Sequence, residues 1–592
     1  MPIYKLMGRL WFHLGERRQW QFIALLGLTF AAAFAEVVSL GSVLPFLSIL
    51  IDPDRVMSYP LLVKYLPALG ISTATQLALP LTIGFIFFAL VAGSIRLLLL
   101  WANTKFAFSC GADLSSKVYK KTLYQPYHVH ISRNTSEVVS GIVNKINSVV
   151  NQVISPALAL LSSIVLMVAI TCTLIFINPM VAISAILAYG LSYYFITRIS
   201  RGRLRKNSAR ISYEETQVIK ALQEGLGGIR DVLLDGTQAI YCSIFQRADI
   251  PLRRALGNNT FIGGSPRFIM EAFGMSLIAI LAYWLGEEPG GIVLALPVLG
   301  ALALGAQRLL PAMQQGYSAW ATIMGSKASL VETISLLDQP LSEDLFEAAS
   351  NPLPFKSSIS FNEVYFRYSD EDSWVLHNLN LLILKGSRVG IIGTTGSGKS
   401  TAIDLLMGLL SPSKGIITID GNPCVGSQLK SWQKTIAHVP QMIYLADTSI
   451  AENIAFGVPK NLIDMDRILL AARQAHISDF VESLSEGYDT NVGERGVRLS
   501  GGQRQRIGIA RALYKRAKVL IFDEATSALD TETELSVMES IDSLDRDLTV
   551  ILVAHRITTL SRCDKIVELE QGRVKLESTY QELLLRPARN IV

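Results

Sequence analysis

Charge is scarce in this 592-residue chain. Lys, Arg, Asp and Glu together make up 17% of it, against 50% hydrophobic residues, and mean hydropathy is +0.36. A soluble domain of ordinary composition carries charge on about a quarter of its residues. Cysteine is scarcer still. The five present (Cys110, Cys172, Cys242, Cys424, Cys563) are scattered, with no Cys-x-x-Cys. That spacing argues against a disulfide framework and a metal site, and it suits a reducing cytosol. The net charge of +5 is small and its basic excess lies in the first half, so nucleic acid is not the expected partner. The first apolar run begins near Trp20, exceeds a signal-peptide core and lacks a small-residue cleavage pattern. It reads as a span that is kept.

The average hides a split. Residues 1–330 hold the long apolar runs, and residues 356–592 have soluble composition. Crossing a bilayer takes about 20 apolar residues as helix. Six stretches qualify: Trp20–Ile51, Leu77–Ala102, Gln152–Ile177, Met180–Thr197, Phe268–Gly286 and Gly290–Gln307. Lipid satisfies no backbone polar group, so each is expected to be a helix. Six spans leave both ends on one side. Lys5, Arg9, Arg17 and Arg18, then Lys105 to Lys145, then Arg198 to Arg210 all fall on that side, which the positive-inside rule makes cytosolic. The two long basic segments have few breakers and read as helical extensions, bent near Tyr124–Ile131 and Gly228–Gly236. Tyr59–Leu69 reads as an external interfacial helix or a plain loop. The expected domains are 1–335 for the membrane part, 336–358 for a Pro-containing linker and 359–592 for a soluble α/β domain.

In the second half, Arg388–Ile392 reads as a buried strand running into Gly393-Thr394-Thr395-Gly396-Ser397-Gly398-Lys399-Ser400 and then a helix from Thr401. Strand, glycine-rich loop and helix form the context of a phosphate-binding loop. Glycines let backbone N–H groups approach phosphate, and the helix N-terminus adds a favourable dipole. Lys399 is expected on the β- and γ-phosphates and the Ser400 hydroxyl on Mg²⁺. Val519–Glu524 reads as a buried strand ending in two carboxylates. Asp523 is placed to hold Mg²⁺ through its water, and Glu524 to orient or deprotonate the attacking water. His555, after the apolar run Thr549–Ala554, is a γ-phosphate contact or a structural strand-end histidine. Gln441 is a candidate ligand of Mg²⁺ and water. Tyr368 either stacks on adenine or packs at a strand end.

These residues, together with Leu499-Ser500-Gly501-Gly502-Gln503, Val439-Pro440-Gln441 and Ser527-Ala528-Leu529-Asp530, resemble the nucleotide-binding domain of ATP-binding cassette (ABC) transporters. The likeness spans about residues 356–585, and Asn491–Gly496 resembles the segment exporters use to touch their membrane domain. Six spans ahead of the cassette match an exporter half-transporter, with a type I exporter fold expected. The resemblance implies a head-to-tail dimer, in which Ser500, Gly501, Gly502 and Gln503 of one copy close over ATP held by the other and Asp530 joins the two sites. Both sites of such a dimer retain Glu524, His555 and the signature, which fits a homodimer.

Intramembrane charge marks function by default. Arg96 and Arg308 lie at a shared level, roughly 26 Å from the outer edge, and Arg267 sits at the inner entry of the fifth span. Arginine grips phosphate with a planar fork of donors, which points to an anionic head group. The alternative is internal pairing, Arg267 with Glu271 and Arg96 with Glu36. The segments Ala35–Phe46 and Ser265–Glu271 look like those of bacterial flippases of lipid-linked oligosaccharides and related polysaccharide and glycolipid exporters. The expected function is therefore ATP-driven flipping of a lipid or lipid-linked glycan across a bacterial inner membrane. A peptide or drug exporter is the second expectation; residues 1–19 leave no room for a fused peptidase ahead of the first span. An ATP-gated regulatory membrane protein is the third, and the intact catalytic residues weigh against it.

Overall fold

A computed structural model of the protein describes residues 1–51, 74–177, 179–286, 291–340, 351–524, 531–542, 547–554 and 557–585. Within the membrane helices some side chains, Arg308 among them, also lie outside the described residues. The chain forms two compact units. The first comprises Met1–Gln125 and Arg133–Pro340; the second comprises Leu341–Val592 together with Pro126–Ser132. Against an expected boundary at residue 335, the first unit runs through helix Lys327–Leu337 to Pro340.

The first unit is built from six long helices: α1 (Glu16–Ile51), α2 (Ala74–Leu123), α3 (Ser155–Ile177), α4 (Pro179–Gly227), α5 (Gln238–Gly286) and α6 (Gly291–Gly325). Among the described residues, three helical stretches are long and apolar enough to cross a membrane: Glu16–Ser39, Ala78–Leu123 and Thr135–Phe176. The spans expected in α4, α5 and α6 include side chains outside the described set, and Tyr59–Leu69 and residues 341–350 of the linker lie outside it altogether. Helices α2, α4 and α5 have 50, 49 and 49 residues. At 1.5 Å per residue each measures about 75 Å, far more than the roughly 30 Å hydrocarbon core. They break where a bend was expected. Helix α2 ends at Leu123 and a separate helix, Tyr127–Ser132, follows. Helix α4 ends at Gly227, a short helix Ile229–Leu234 intervenes, and Gly236 at φ +66° turns the chain into α5.

Two features of this unit were not expected. The N-terminal helix Ile3–His13 buries Leu6 and Leu10 among Leu114, Val149, Leu330 and Ile334. Its polar side is tied down as well: Arg9 pairs with Asp338, and His13 Nε2 lies 2.7 Å from Asp338 Oδ1. The helix leading into α3 also carries two π-turns, Gly141–Lys145 and Val150–Ile154. The first ends at the buried Lys145, which forms an ion pair with Glu332. A buried ammonium is tolerated only when paired in this way.

The second unit carries two sheets. Strands β1 (Ser358–Phe366), β2 (Leu376–Leu384), β4 (Lys414–Ile419) and β5 (Asn422–Pro423) form an antiparallel sheet in the order β2-β1-β4-β5. The larger sheet has the order β10-β9-β3-β8-β7-β6, with β3 (Arg388–Ile392), β6 (Ile436–Val439), β7 (Val519–Asp523), β8 (Thr549–Val553), β9 (Lys565–Glu570) and β10 (Arg573–Ser578). From β9 to β6 it is parallel. All five residues of β8 are buried, as expected for a strand covered on both faces.

Burial has one titratable consequence in this sheet. The His438 imidazole in β6 has its Nε2 buried without a hydrogen-bond partner, and burial pushes its pKa from 6.5 down to about 4. The folded state thus holds the neutral ring while the unfolded chain takes up a proton below 6.5. The stabilisation is complete above pH 6.5 and is lost as pH falls toward 4, at a cost of roughly 3 kcal/mol. Replacing His438 with Phe is expected to flatten the decline of the thermal midpoint between pH 6.5 and 4. Parallel midpoint-versus-pH curves for the two proteins would refute this.

Candidate functional site

Strand order brings the polar residues together. Strands β3, β8, β7 and β6 lie side by side and parallel, so their carboxyl ends share one edge. Ligand sites of open parallel sheets form at that edge. Strand β3 runs into Gly393–Gly398, β7 ends at Asp523, and β6 ends two residues before Gln441. His555 follows β8 but lies outside the described residues, as does Asp530.

The loop after β3 needs its glycines. Gly393, Gly396 and Gly398 have φ of +151°, +83° and +98°. A Cβ on Gly393 would stand 2.3 Å from the Leu569 carbonyl oxygen, and one on Gly398 would stand 2.6 Å from Leu376 Cδ2. At Gly396 the corresponding space is open. Helix α7 (Lys399–Leu406) starts directly after Gly398 with no side-chain cap on its first turn. Its leading N–H groups are therefore available to an anion. The Ser397 hydroxyl is buried without a hydrogen-bond partner. Lys399, only 7% exposed, folds back to donate to the carbonyls of Gly393 at 2.7 Å and Thr394 at 3.1 Å. A hollow with an orphan hydroxyl, an uncapped helix start and a lysine at its mouth fits a phosphate group. Thr401 is buried, and its hydroxyl lies 3.2 Å from that of Tyr368. The Tyr368 ring meets Phe366 edge-on at 5.0 Å and remains 49% exposed, which leaves one side open to a flat ligand.

Across the loop stand the carboxylates. Glu524 takes φ +52°, a left-handed conformation that costs energy for a non-glycine residue and concentrates at functional sites. Its N–H donates to the Val553 carbonyl at 3.0 Å, which locks the turn onto β8. Gln441 Nε2 donates to Glu524 Oε2 at 2.6 Å. Gln441 and Glu524 thus meet directly after the end of β7 at Asp523. The oxygen donors of Ser400, Gln441 and Asp523 are of the kind Mg²⁺ prefers.

Ser500 caps helix α8 (Gly501–Tyr514). Its hydroxyl accepts from the Gln503 N–H at 3.2 Å, and its own N–H donates to Gln503 Oε1 at 2.8 Å. In this reciprocal capping box Gln503 serves the helix start itself. It leaves Gly501 and Gly502 at an N-terminus free of bulky side chains. Gly508 seats the helix: a Cβ there would meet Ile443 Cδ1 at 2.5 Å.

Three residues escaped the sequence reading. Asp404 sits four residues after Ser400, on the same side of α7. Burial and the nearby Asp523 push its carboxyl up to about 6. The i,i+4 spacing was the available signal. Burial, with Asp404 and Tyr368 nearby, also pushes up the Tyr127 phenol, in the short segment grouped with this unit. Asn453, fully buried, pins the Ala446–Ser449 turn through both polar atoms of its amide. No local pattern announces that role.

In the first unit the arginines occupy two cavities. Arg96 lines one of about 230 Å³ with Asn103, Ser162, Ser163 and Gln315. Arg267 lines another, of about 550 Å³, with Tyr193, Glu271, Gln314 and Gln315. Both arginines carry the glutamate partners weighed from sequence: Arg96 Nη1 lies 3.4 Å from Glu36 and Arg267 Nε 2.8 Å from Glu271. The side chain of Arg308 is outside the described residues.

Comparison with known proteins agrees with this architecture. The family model for the ABC transporter matches residues 376–527, and the model for the ABC transporter transmembrane region matches residues 23–286. An ATP-dependent lipid A-core flippase of Legionella pneumophila (strain Paris) is 31% identical over 480 residues, 79% of each chain. One of Cupriavidus metallidurans is 30% identical over 79% of this chain and 78% of its own. A third, of Alkalilimnicola ehrlichii, is 34% identical over 390 residues, and this match spans 64% of each chain. Among solved structures, a bacterial Atm1-family ABC exporter with ATP bound superposes with a TM-score of 0.77 over 96% of both chains at 24% identity. The chain belongs to the ABC transporter family: it is an integral membrane protein of the type I exporter fold, a helical membrane region fused to an α/β nucleotide-binding domain.

Proposed function

We propose that the protein hydrolyses ATP to flip a lipid with an anionic head group, such as a glycolipid or lipid-linked oligosaccharide, across a bacterial inner membrane. The observation that carries the ATPase half is Glu524. It is strained at φ +52°, anchored to β8, held by Gln441 at 2.6 Å and follows β7 at the sheet edge that also carries the glycine loop. In this reading Gly393 to Ser400 and Thr401 bind the phosphates, Lys399 neutralises the β- and γ-phosphates, and Tyr368 carries the adenine. Ser400, Gln441 and Asp523 hold Mg²⁺, which supplies positive charge to the phosphate oxygens. Glu524 takes up the proton of the attacking water, with His555 at the γ-phosphate. Ser500, Gly501, Gly502 and Gln503 of a second copy close over the nucleotide, with Asp530 between the two sites, so the working unit is a homodimer. The helix breaks near residues 124–131 and 228–236 relay closure to the spans by alternating access.

The lipid half rests on the names of the relatives and on the arginines at membrane depth. A drug exporter would be expected to have a charge-free cavity, whereas Arg96 and Arg267 each stand among the otherwise largely apolar walls of one of these two.

Glu524→Gln should lower steady-state hydrolysis at least about 100-fold while ATP stays bound. Trapped nucleotide and phosphate release on the purified protein measure this, and normal turnover would sink the assignment. In liposomes, Arg308→Ala and Arg96→Ala, the latter combined with Glu36→Gln so that no buried carboxylate is left unpaired, should reduce the flipping of a phosphate-bearing glycolipid, read by its accessibility on the outer leaflet. Unchanged flipping in both variants would remove the anionic head group from the reading.

A further inference from the structure

The Arg96–Glu36 pair is lopsided. Glu36 on α1 is 2% exposed, shut inside the helix packing, while 44% of the Arg96 side chain on α2 is exposed. Arg96 Nη1 lies 3.4 Å from Glu36 Oε2, and Arg96 also lines the cavity with Asn103, Ser163 and Gln315. The Ser163 hydroxyl is buried there without a hydrogen-bond partner. A guanidinium has five N–H donors in a rigid fork, so one edge can face a carboxylate while another faces a second anion.

We propose that Glu36 is a specificity-determining residue of the substrate site, an internal counter-ion that orients Arg96 toward the cavity and weakens its grip on the lipid's anionic head group. This rests on the reading that Arg96 meets that head group. A head group bound by Arg96 lies near the buried carboxylate, and at short range in a partly desolvated site like charges repel by more than a factor of ten in affinity. A transporter needs that penalty. Arg96 without its counter-ion would hold a phosphate too tightly to let it go at the far side, and binding that is equally strong in every state drives no transport. The same pair exposes a trap in the obvious mutation. Removing Arg96 alone strands a buried carboxylate, which is strongly destabilising whether or not lipid binds there.

The test uses the full-length protein in phosphatidylcholine liposomes containing lipid A, whose phosphate monoesters serve as the anionic probe. Glu36→Gln keeps the shape and removes the charge. It should lower the lipid A concentration giving half-maximal ATPase stimulation by about tenfold and lower the maximal stimulated rate severalfold, with the thermal midpoint unchanged. Glu36→Asp should stay close to the parent protein. The double variant Arg96→Ala/Glu36→Gln should keep its thermal midpoint and lose stimulation. A Glu36→Gln protein with unchanged half-saturation, beside a double variant that has lost stimulation, overturns the role of Glu36 and leaves Arg96 as a head-group contact. A drop in thermal midpoint with loss of stimulation in Glu36→Gln also overturns it, since it marks a purely structural pair. A double variant stimulated like the parent overturns the head-group reading itself.

Discussion

Hydrogen bonds between β3 and β8 run in register from Arg388 opposite Val550 to Ile391 opposite Val553, and β8 is in turn registered on β7 as far as Asp523 opposite Val553. Those pairings hold the phosphate-type loop and the two carboxylates at one level along the sheet edge. A slip by one residue would exchange the faces of a strand and bury the wrong side chains. The strands resist slipping because both faces are apolar and covered. The same ladder reaches beyond β7, where the Glu524 N–H finds the Val553 carbonyl and holds a glutamate in a conformation it would not adopt alone. The chemistry proposed for this edge is a consequence of that register.

The membrane unit answers to another constraint. Charge inside it is expensive, and the chain meets the cost by pairing. Arg96 has Glu36, Arg267 has Glu271 and Lys145 has Glu332. Positive residues that look like open anion clamps in the sequence are partly neutralised in the fold. The two cavities share Gln315 of α6 while each keeps its own ion pair. Selectivity in such a site comes from what a ligand must compete with as much as from what it touches.

Much of the nucleotide-type site was legible because its signals are local. Strand β3, the glycine loop and the start of α7 are contiguous, and buried runs of Val, Ile and Leu mark β7 and β8 without any tertiary knowledge. The Ser500–Gln503 capping box is likewise written in four adjacent residues. What stayed hidden depends on long-range closure. Gln441 and Glu524 meet across 83 residues of sequence. The Asp404 carboxyl acquires its raised pKa only once α7 packs and Asp523 arrives beside it. The N-terminal helix, short and unremarkable as a string, proves to be tied to Asp338 by Arg9 and His13.

The sequence by itself determined the kinds of chemistry present: apolar runs too long for anything but membrane helices, a glycine spacing set between strand and helix as in a phosphate-binding loop, and a signature that reads as half of a shared site. Composition and short-range spacing suffice for these because backbone conformation and solvation act locally. The tertiary structure alone decided which charges stand free and which are paired, because a counter-ion such as Glu36 is recruited through space from another helix. It is this pairing, set by the high cost of an unpartnered charge in a dry interior, that turns Arg96 from a plain anion site into one with an internal competitor.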